Sequence, residues 1–328
     1  MLIINNVANV STKIYQELKT LGKKVTFYQP VTNASTKSRL FLLINRMMLP
    51  LIILFKSRGH NAIYVHYAYF AAMIFFTKKD VIVHCHGTDV RENLHNEYRN
   101  VTLRALKRAK HIYYATPDLK QYLPEKFLHK TTFVPNPVDT EQFCPKVTKF
   151  TDKSKGNIAV FFISKFDKTK GADKFLPLVD YLCTVPEVTK ITLFKHGNAM
   201  PTELPSNSKL IWLDKVTYEN MPALMNSHDI AIGQMALGAV GMSELEALAC
   251  GLPTIAHFEY NDEYSEHSPI LCAKTTREAQ LHLDKLIKNV ELRQVISEKS
   301  RKWIVNFHSL DRICAFLTTS FKTHNIKF

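Results

Sequence analysis

The chain has 328 residues with 46% hydrophobic and 22% charged side chains. This is the balance of an ordinary globular protein, long enough for two cores, and it excludes a disordered or collagen-like chain. The formal charge of +14 is unevenly spread: residues 1–150 hold 22 Lys and Arg against 9 Asp and Glu, and residues 151–328 hold 21 against 20. The cysteines, Cys85, Cys144, Cys183, Cys250, Cys272 and Cys314, are scattered with no CxxC pair. Neither a disulfide framework nor a cysteine metal site is expected, and a reducing cytoplasmic setting fits.

In chain order, residues 2–4 read as a strand, without the basic start and apolar core of a signal peptide. A helix follows over about 12–21, ended by Gly22, and a second strand over 25–28. This is the opening of a Rossmann-like half, although no GxGxxG fingerprint is present. Between Glu17 and Asp80 there is no acidic residue, while Lys19, Lys23, Lys24, Lys37, Arg39, Arg46, Lys56, Arg58, Lys78 and Lys79 fall inside that gap. A field of one sign suits an anionic surface, either phospholipid or nucleic acid; no base-reading module accompanies it, so nucleic acid is set aside.

Residues 40–55 (LFLLINRMMLPLIILF) are strongly apolar, but Asn45, Arg46 and Pro50 interrupt a run already shorter than the ~20 clean residues of a membrane span. Two readings stay open. The segment is a buried helix whose flanking cations reach outward, or it lies in a membrane interface as a monotopic anchor.

Strands over 62–66 and 81–85 follow, the second running into HGTDVR at 86–91. In a doubly wound sheet the loop after a strand faces the ligand crevice, so His86 and Asp89 are candidate site residues and His66 a lesser one. A basic helix over 101–110, a strand over 111–115 and a proline-punctuated connector over 133–145 (FVPNPVDTEQFCP) close this half. The lysine-rich stretch 146–156 suits a linker.

A strand over 157–163 opens the second half and leads into SKFDKTKG at 164–171. Two cations five residues apart, Lys165 and Lys170, are placed to bracket a diphosphate. Further strands are expected over 191–194, 210–213 and 228–232, and a short helix over 221–226. The stretch GQMALGAVGMSELEALACGLPTIA at 233–256 then passes from a small-residue loop to a helix over 242–250, to Gly251 and Pro253, and to a strand over 254–257. Such a junction offers free backbone N–H groups and the positive end of a helix dipole to phosphate oxygens, with Glu246 one turn further in. A plain helix cap by Ser243 and Glu244 is the alternative. A polar loop over 259–268 and helices over 276–289 and 311–323 end the chain, the last following residues 303–309.

Residues 241–253 (GMSELEALACGLP) resemble the donor-site signature of the GT-B glycosyltransferases of family 4, retaining enzymes that use nucleotide-diphosphate sugars. Residues 164–171 and 133–143 resemble that family's diphosphate loop and prelinker segment, and 86–91 its acceptor-side loop. The resemblance implies an α/β GT-B architecture of two Rossmann-like domains facing each other across a cleft. These would be an acceptor domain over 1–147, a nucleotide-sugar domain over 148–305, and a C-terminal helix over 306–328 crossing back to the first. It places Lys165, Lys170 and the amides of Gly241, Met242 and Ser243 on the diphosphate, Glu246 on the ribose, and His86 and Asp89 beside the reacting sugar. This chain departs from the family's pattern in having Gly238 at the first of two signature glutamates, Lys165 for an arginine, Ser164 for a glycine, and Pro137 for another glycine.

No Asp-x-Asp pair occurs in the sequence, so no metal is expected on the diphosphate of a UDP- or GDP-sugar donor. The function expected is hexosyl transfer to a glycan or lipid-linked acceptor in polysaccharide assembly, by a cytoplasmic protein held peripherally at an anionic membrane. The alternative is a degenerate nucleotide-sugar-binding subunit or scaffold.

Overall fold

Short runs of branched apolar residues, with no glycine or proline inside them, set both sheets, because such side chains pack on both faces of buried parallel strands. The computed structural model describes residues 1–31, 39–74, 76–146, 157–195 and 207–327. Most of the expected linker and the expected turn after Lys195 lie outside these residues. The chain divides into two compact units, Met1–Pro137 with Leu310–Phe328, and Val138–Ser309.

The first unit runs β1 (Leu2–Ile4), α1 (Val10–Thr20), β2 (Thr26–Tyr28), α2 (Arg39–Lys56), β3 (Ala62–His66), α3 (Ala68–Ala71), β4 (Asp80–Cys85), α4 (Thr88–Arg91), α5 (Arg99–Arg108), β5 (His111–Tyr114) and β6 (Thr131–Phe133). The strands form a parallel sheet in the order β2-β1-β3-β4-β5-β6. β6 takes the two residues before the segment read as irregular connector and its first residue, Phe133, because the sheet edge offers their backbone the ladder of β5. One sheet face buries Leu2, Ile63, Val65 and Val83 in an apolar core with Leu49, Phe70 and Leu106.

The second unit runs β7 (Ile158–Phe162), α6 (Ala172–Thr184), β8 (Val188–Phe194), β9 (Leu210–Leu213), α7 (Met221–Asn226), β10 (Ile230–Ile232), α8 (Met242–Ala249), β11 (Thr254–Ala256), β12 (Leu271–Cys272), α9 (Thr276–Lys288) and α10 (Val290–His308). Its parallel sheet has the order β12-β11-β10-β7-β8-β9. Two cores cover its two faces, one with α6 and α9 and one with α8 and α10. From sequence no helix is expected between 289 and 311, and 303–309 reads only as a lead into the last helix; residues 290–308 form α10. Asn289 caps that helix by accepting the Leu292 N–H at 2.8 Å, and no glycine or proline stops it before Ser309.

The last helix, α11 (Leu310–Thr323), belongs to the first unit. Its Ser320 hydroxyl lies 2.8 Å from that of Tyr113, and its Phe321 packs edge-on against Tyr64.

Candidate functional site

In the second unit, the loop between β10 and α8 is built around one carboxylate. Glu244 is buried, and its Oε1 accepts the Ser164 hydroxyl at 2.8 Å and the Gln234 N–H at 2.9 Å, while Oε2 accepts the Gly241 N–H at 3.0 Å. It therefore ties the end of β7, the loop and the start of α8 together. Gly233 has to be glycine, because a Cβ there would stand 2.6 Å from Glu244 Cγ. The Gly241 N–H is thus engaged, and the first-turn amides that follow it, those of Met242 and Ser243, have no carbonyl of their own helix to meet.

Lys165 is exposed and Lys170 half-buried on the loop after β7. Asp167 caps the turn between them, accepting the Lys170 N–H at 3.1 Å. The Lys170 carbonyl accepts the Met235 N–H at 2.9 Å, which joins this loop to the one preceding α8. Gly171 lies at φ 92°, and a Cβ there would press on the Met235 backbone at 3.3 Å, so the approach of the two loops requires glycine. The fold thus joins the Lys165–Lys170 loop to the loop that leads into α8, where Met242 and Ser243 open the helix, while the Gly241 N–H, expected on a diphosphate, is held by Glu244 instead.

Glu246 is buried one turn into α8. Burial, and then the charge of Glu246, push the Tyr218 hydroxyl far above its ordinary pKa. Gly238 sits at φ 67°, and a Cβ there would lie 3.2 Å from Glu259 Oε2. A side chain at 238 would meet both backbone strain and a carboxylate already in place, one that pairs with Lys274.

In the first unit, β4 delivers His86 and Asp89 to the carboxyl end of the sheet. Asp89 is fully buried and its carboxylate is spent on backbone: Oδ1 accepts the His86 and Gly87 amides at 3.0 and 2.9 Å, and Oδ2 the Ala68 amide at 3.1 Å. Burial raises its pKa, against the pull of those three donors. Asp89 is accordingly a positioning residue for the His86 loop. His86 is half-buried, and burial lowers its pKa to about 3, so its imidazole is neutral at physiological pH and acts through hydrogen bonds. Arg91 locks the loop from below by a two-pronged bond to Asp118 at 2.6 and 2.9 Å.

Beside this loop Tyr67 adopts φ 83°, and its hydroxyl accepts from Asn93 at 3.2 Å and Thr88 at 3.3 Å. It lines a cavity of about 710 Å³ together with Asn5, Tyr98, Phe70, Arg46 and Leu49. Asn5 and Tyr67 follow strands β1 and β3, so the cavity opens at the end of the sheet where α/β folds bind ligands. Its wall is α2, which runs unbroken through Pro50 although that residue cannot donate to the Arg46 carbonyl. Leu49 and Ile53 point into the core, whereas Leu40, Met47 and Phe55 are 66%, 72% and 66% exposed. Among the described residues no helix is long and apolar enough to cross a membrane.

Sequence reasoning offered Glu244 only as a plain cap and missed its hold on Ser164 and Gln234, and it missed Tyr67 and the cavity. Glu244 follows a loop glycine by three residues, the spacing of a capping glutamate, and that is the one signal available. Nothing at the sequence level marks the strained Tyr67.

The model of the "Glycosyl transferases group 1" family matches residues 145–303, and that of "Glycosyltransferase Family 4" matches residues 12–142. No curated protein matches the sequence. Among solved structures, the chain resembles sucrose-phosphate synthase of Thermosynechococcus elongatus at 12% identity and TM-score 0.72, over 98% of each chain. It also resembles Anabaena HepE in complex with UDP-glucose, at 14% identity and TM-score 0.72, over 98% of this chain and 99% of that one. A trehalose-6-phosphate synthase studied with bisubstrate glycomimetics matches at 11% identity and TM-score 0.67, over 98% and 99%. At these identities the likeness shows the fold, which is GT-B.

Proposed function

The chain belongs to the family 4, group 1 glycosyltransferases, and on that premise we propose that it transfers a hexose, with retention, from a UDP- or GDP-sugar to an amphiphilic acceptor at an anionic membrane surface. The acceptor is a lipid-linked or glycan chain in polysaccharide assembly. Lys165, Lys170 and the amides at the start of α8 meet the diphosphate charge without a divalent ion, and Glu246 takes the ribose. The bond from the sugar's anomeric carbon to the diphosphate breaks as that carbon bonds to the acceptor oxygen on the same face. The acceptor's proton passes to the departing phosphate. Fixed cations and helix amides favour this step because they are already aimed where negative charge grows. His86, oriented by Asp89, borders the reacting sugar.

The observation that carries the membrane assignment is the outward apolar side of α2. Exposed Leu40, Met47 and Phe55 stand in a segment with many cations and no acid, beside a cavity at the sheet end. A helix of this kind gains from apolar burial at the headgroup boundary and about 1 kcal/mol per nearby Lys or Arg on anionic lipid. The test is co-flotation with vesicles containing phosphatidylglycerol, alongside sugar transfer to lipid extracts. Wild type is expected to float with anionic vesicles and not with neutral ones, and Met47→Glu with Leu43→Glu to abolish flotation without changing the melting temperature. A wild type that stays in solution with anionic vesicles contradicts the membrane assignment. UDP binding without transfer to any acceptor favours the scaffold reading.

A further inference from the structure

The sheet of the first unit buries two unlike faces. Ile63, Val65, Val83 and Cys85 enter the apolar core, and the alternate residues carry imidazoles and phenols to the other side. β3 and β4 pair with His66 directly opposite His84, and His86 follows two residues later. The ring centroids lie 5.1 Å apart for His66 and His84, 5.1 Å for His66 and His86, and 4.5 Å for His84 and His86. One ring nitrogen of each lies within 4.8 Å of the others.

The cluster's hydrogen bonding is incomplete. His66 Nδ1 and His86 Nε2 are 2.9 Å apart and share a single proton between two rings. His66 Nε2 is buried and meets no partner among the described residues. His84 Nδ1 lies 2.6 Å from the Tyr64 hydroxyl, and its buried Nε2 meets no hydrogen-bond partner of good geometry among the described residues. A buried polar group left unpaired is destabilising. Apolar residues would fill the same space without that cost, so packing does not account for three imidazoles here.

We propose that His66, His84 and His86 form a binding site for a divalent cation of the zinc class. An all-imidazole donor set suits zinc, nickel or copper and not magnesium or calcium. Zinc bonds to nitrogen at about 2.0–2.1 Å, which sets tetrahedral donors about 3.3 Å apart. The close His66–His86 pair therefore opens slightly as the ion replaces their shared proton, and His84 swings in. The Tyr64 hydroxyl on His84 Nδ1 is the outer partner that orients a metal-bound histidine and leaves Nε2 for the ion. His86 alone of the three is half-exposed, which gives the ion an open side for water or a substrate oxygen. The site lies on the first unit and takes no part in holding the diphosphate.

The experiment uses the full chain without a polyhistidine tag, with elemental analysis, cobalt titration followed by visible absorption, and melting with added zinc. The expected result is stoichiometric binding, the absorption of a four-coordinate cobalt site, and a melting temperature that rises with zinc as mass action requires. His84→Gln and His66→Gln are expected to lose all three responses. If neither variant folds, the wild-type cobalt spectrum and zinc shift decide alone. Wild type that binds neither ion, or variants that bind as well as wild type, overturn the proposal. UDP binding on the same samples reads the donor site separately.

Discussion

Glu244 shows how one side chain can organise a site without touching its ligand. Its two oxygens hold three donors from three segments, and the loop that precedes α8 has its shape only while they do. Glu244→Gln keeps one acceptor but sets an NH2 group against the Gly241 N–H. The expected cost is about 1–3 kcal/mol of stability, read by urea unfolding, with weaker UDP binding as the loop loosens. Unchanged stability would mean that the loop is held elsewhere. Asp89 follows the same logic: a buried carboxylate in a motif loop invites a catalytic reading, yet three backbone amides consume it.

At the scale of elements, periodicity and breakers made most of the fold legible. The strands Leu210–Leu213 and the helix Met221–Asn226 fall where their apolar patterns and flanking residues place them. β6 was illegible because three residues leading into a proline-punctuated stretch carry no period; only the neighbouring edge makes them a strand. α10 was illegible as a whole, because its apolar residues form no clean stripe among the charged ones and the aromatic residues at 303–307 do not look helical until the core that receives Trp303 is known. The turn after β7 and the loop before α8 were legible as loops through their glycines, whereas the meeting of His66 with His84 depends on strand register, which no local pattern states.

β5 and the residue just after α11 carry a pH-dependent contact. His111 stacks on His324 with ring centroids 3.7 Å apart, and its Nε2 lies 2.9 Å from the Thr132 hydroxyl. Burial first, then His324 and Lys130, lower its pKa to about 4. The unfolded chain, with a histidine pKa near 6.5, binds more protons between these values, so stability falls as pH drops through that window. Relative to His111→Gln, wild type is expected to lose on the order of 3 kcal/mol between about pH 7 and about pH 4. Parallel stability curves for the two proteins would show that His111 is not the group responsible.

The whole molecule divides its chemistry as it divides its charge. The first 150 residues hold almost all of the net positive charge, together with the outward apolar side of α2 and the cavity beside it. Residues 151–328 are nearly neutral overall, and three of their cations, Lys165, Lys168 and Lys170, lie on the loop joined to the one preceding α8. Such a division suits an enzyme whose acceptor resides at an anionic surface while its donor diffuses in water.

The most direct test of the central claim is calorimetric titration of UDP and GDP into wild type, Lys170→Ala and Glu246→Gln, with chelator present throughout. The account predicts that one nucleotide binds the wild type without metal, that Lys170→Ala weakens it about tenfold or more through loss of a charge-assisted contact, and that Glu246→Gln weakens it through the ribose. If neither nucleotide binds, or if binding is indifferent to both substitutions, these loops do not hold a nucleotide-sugar donor.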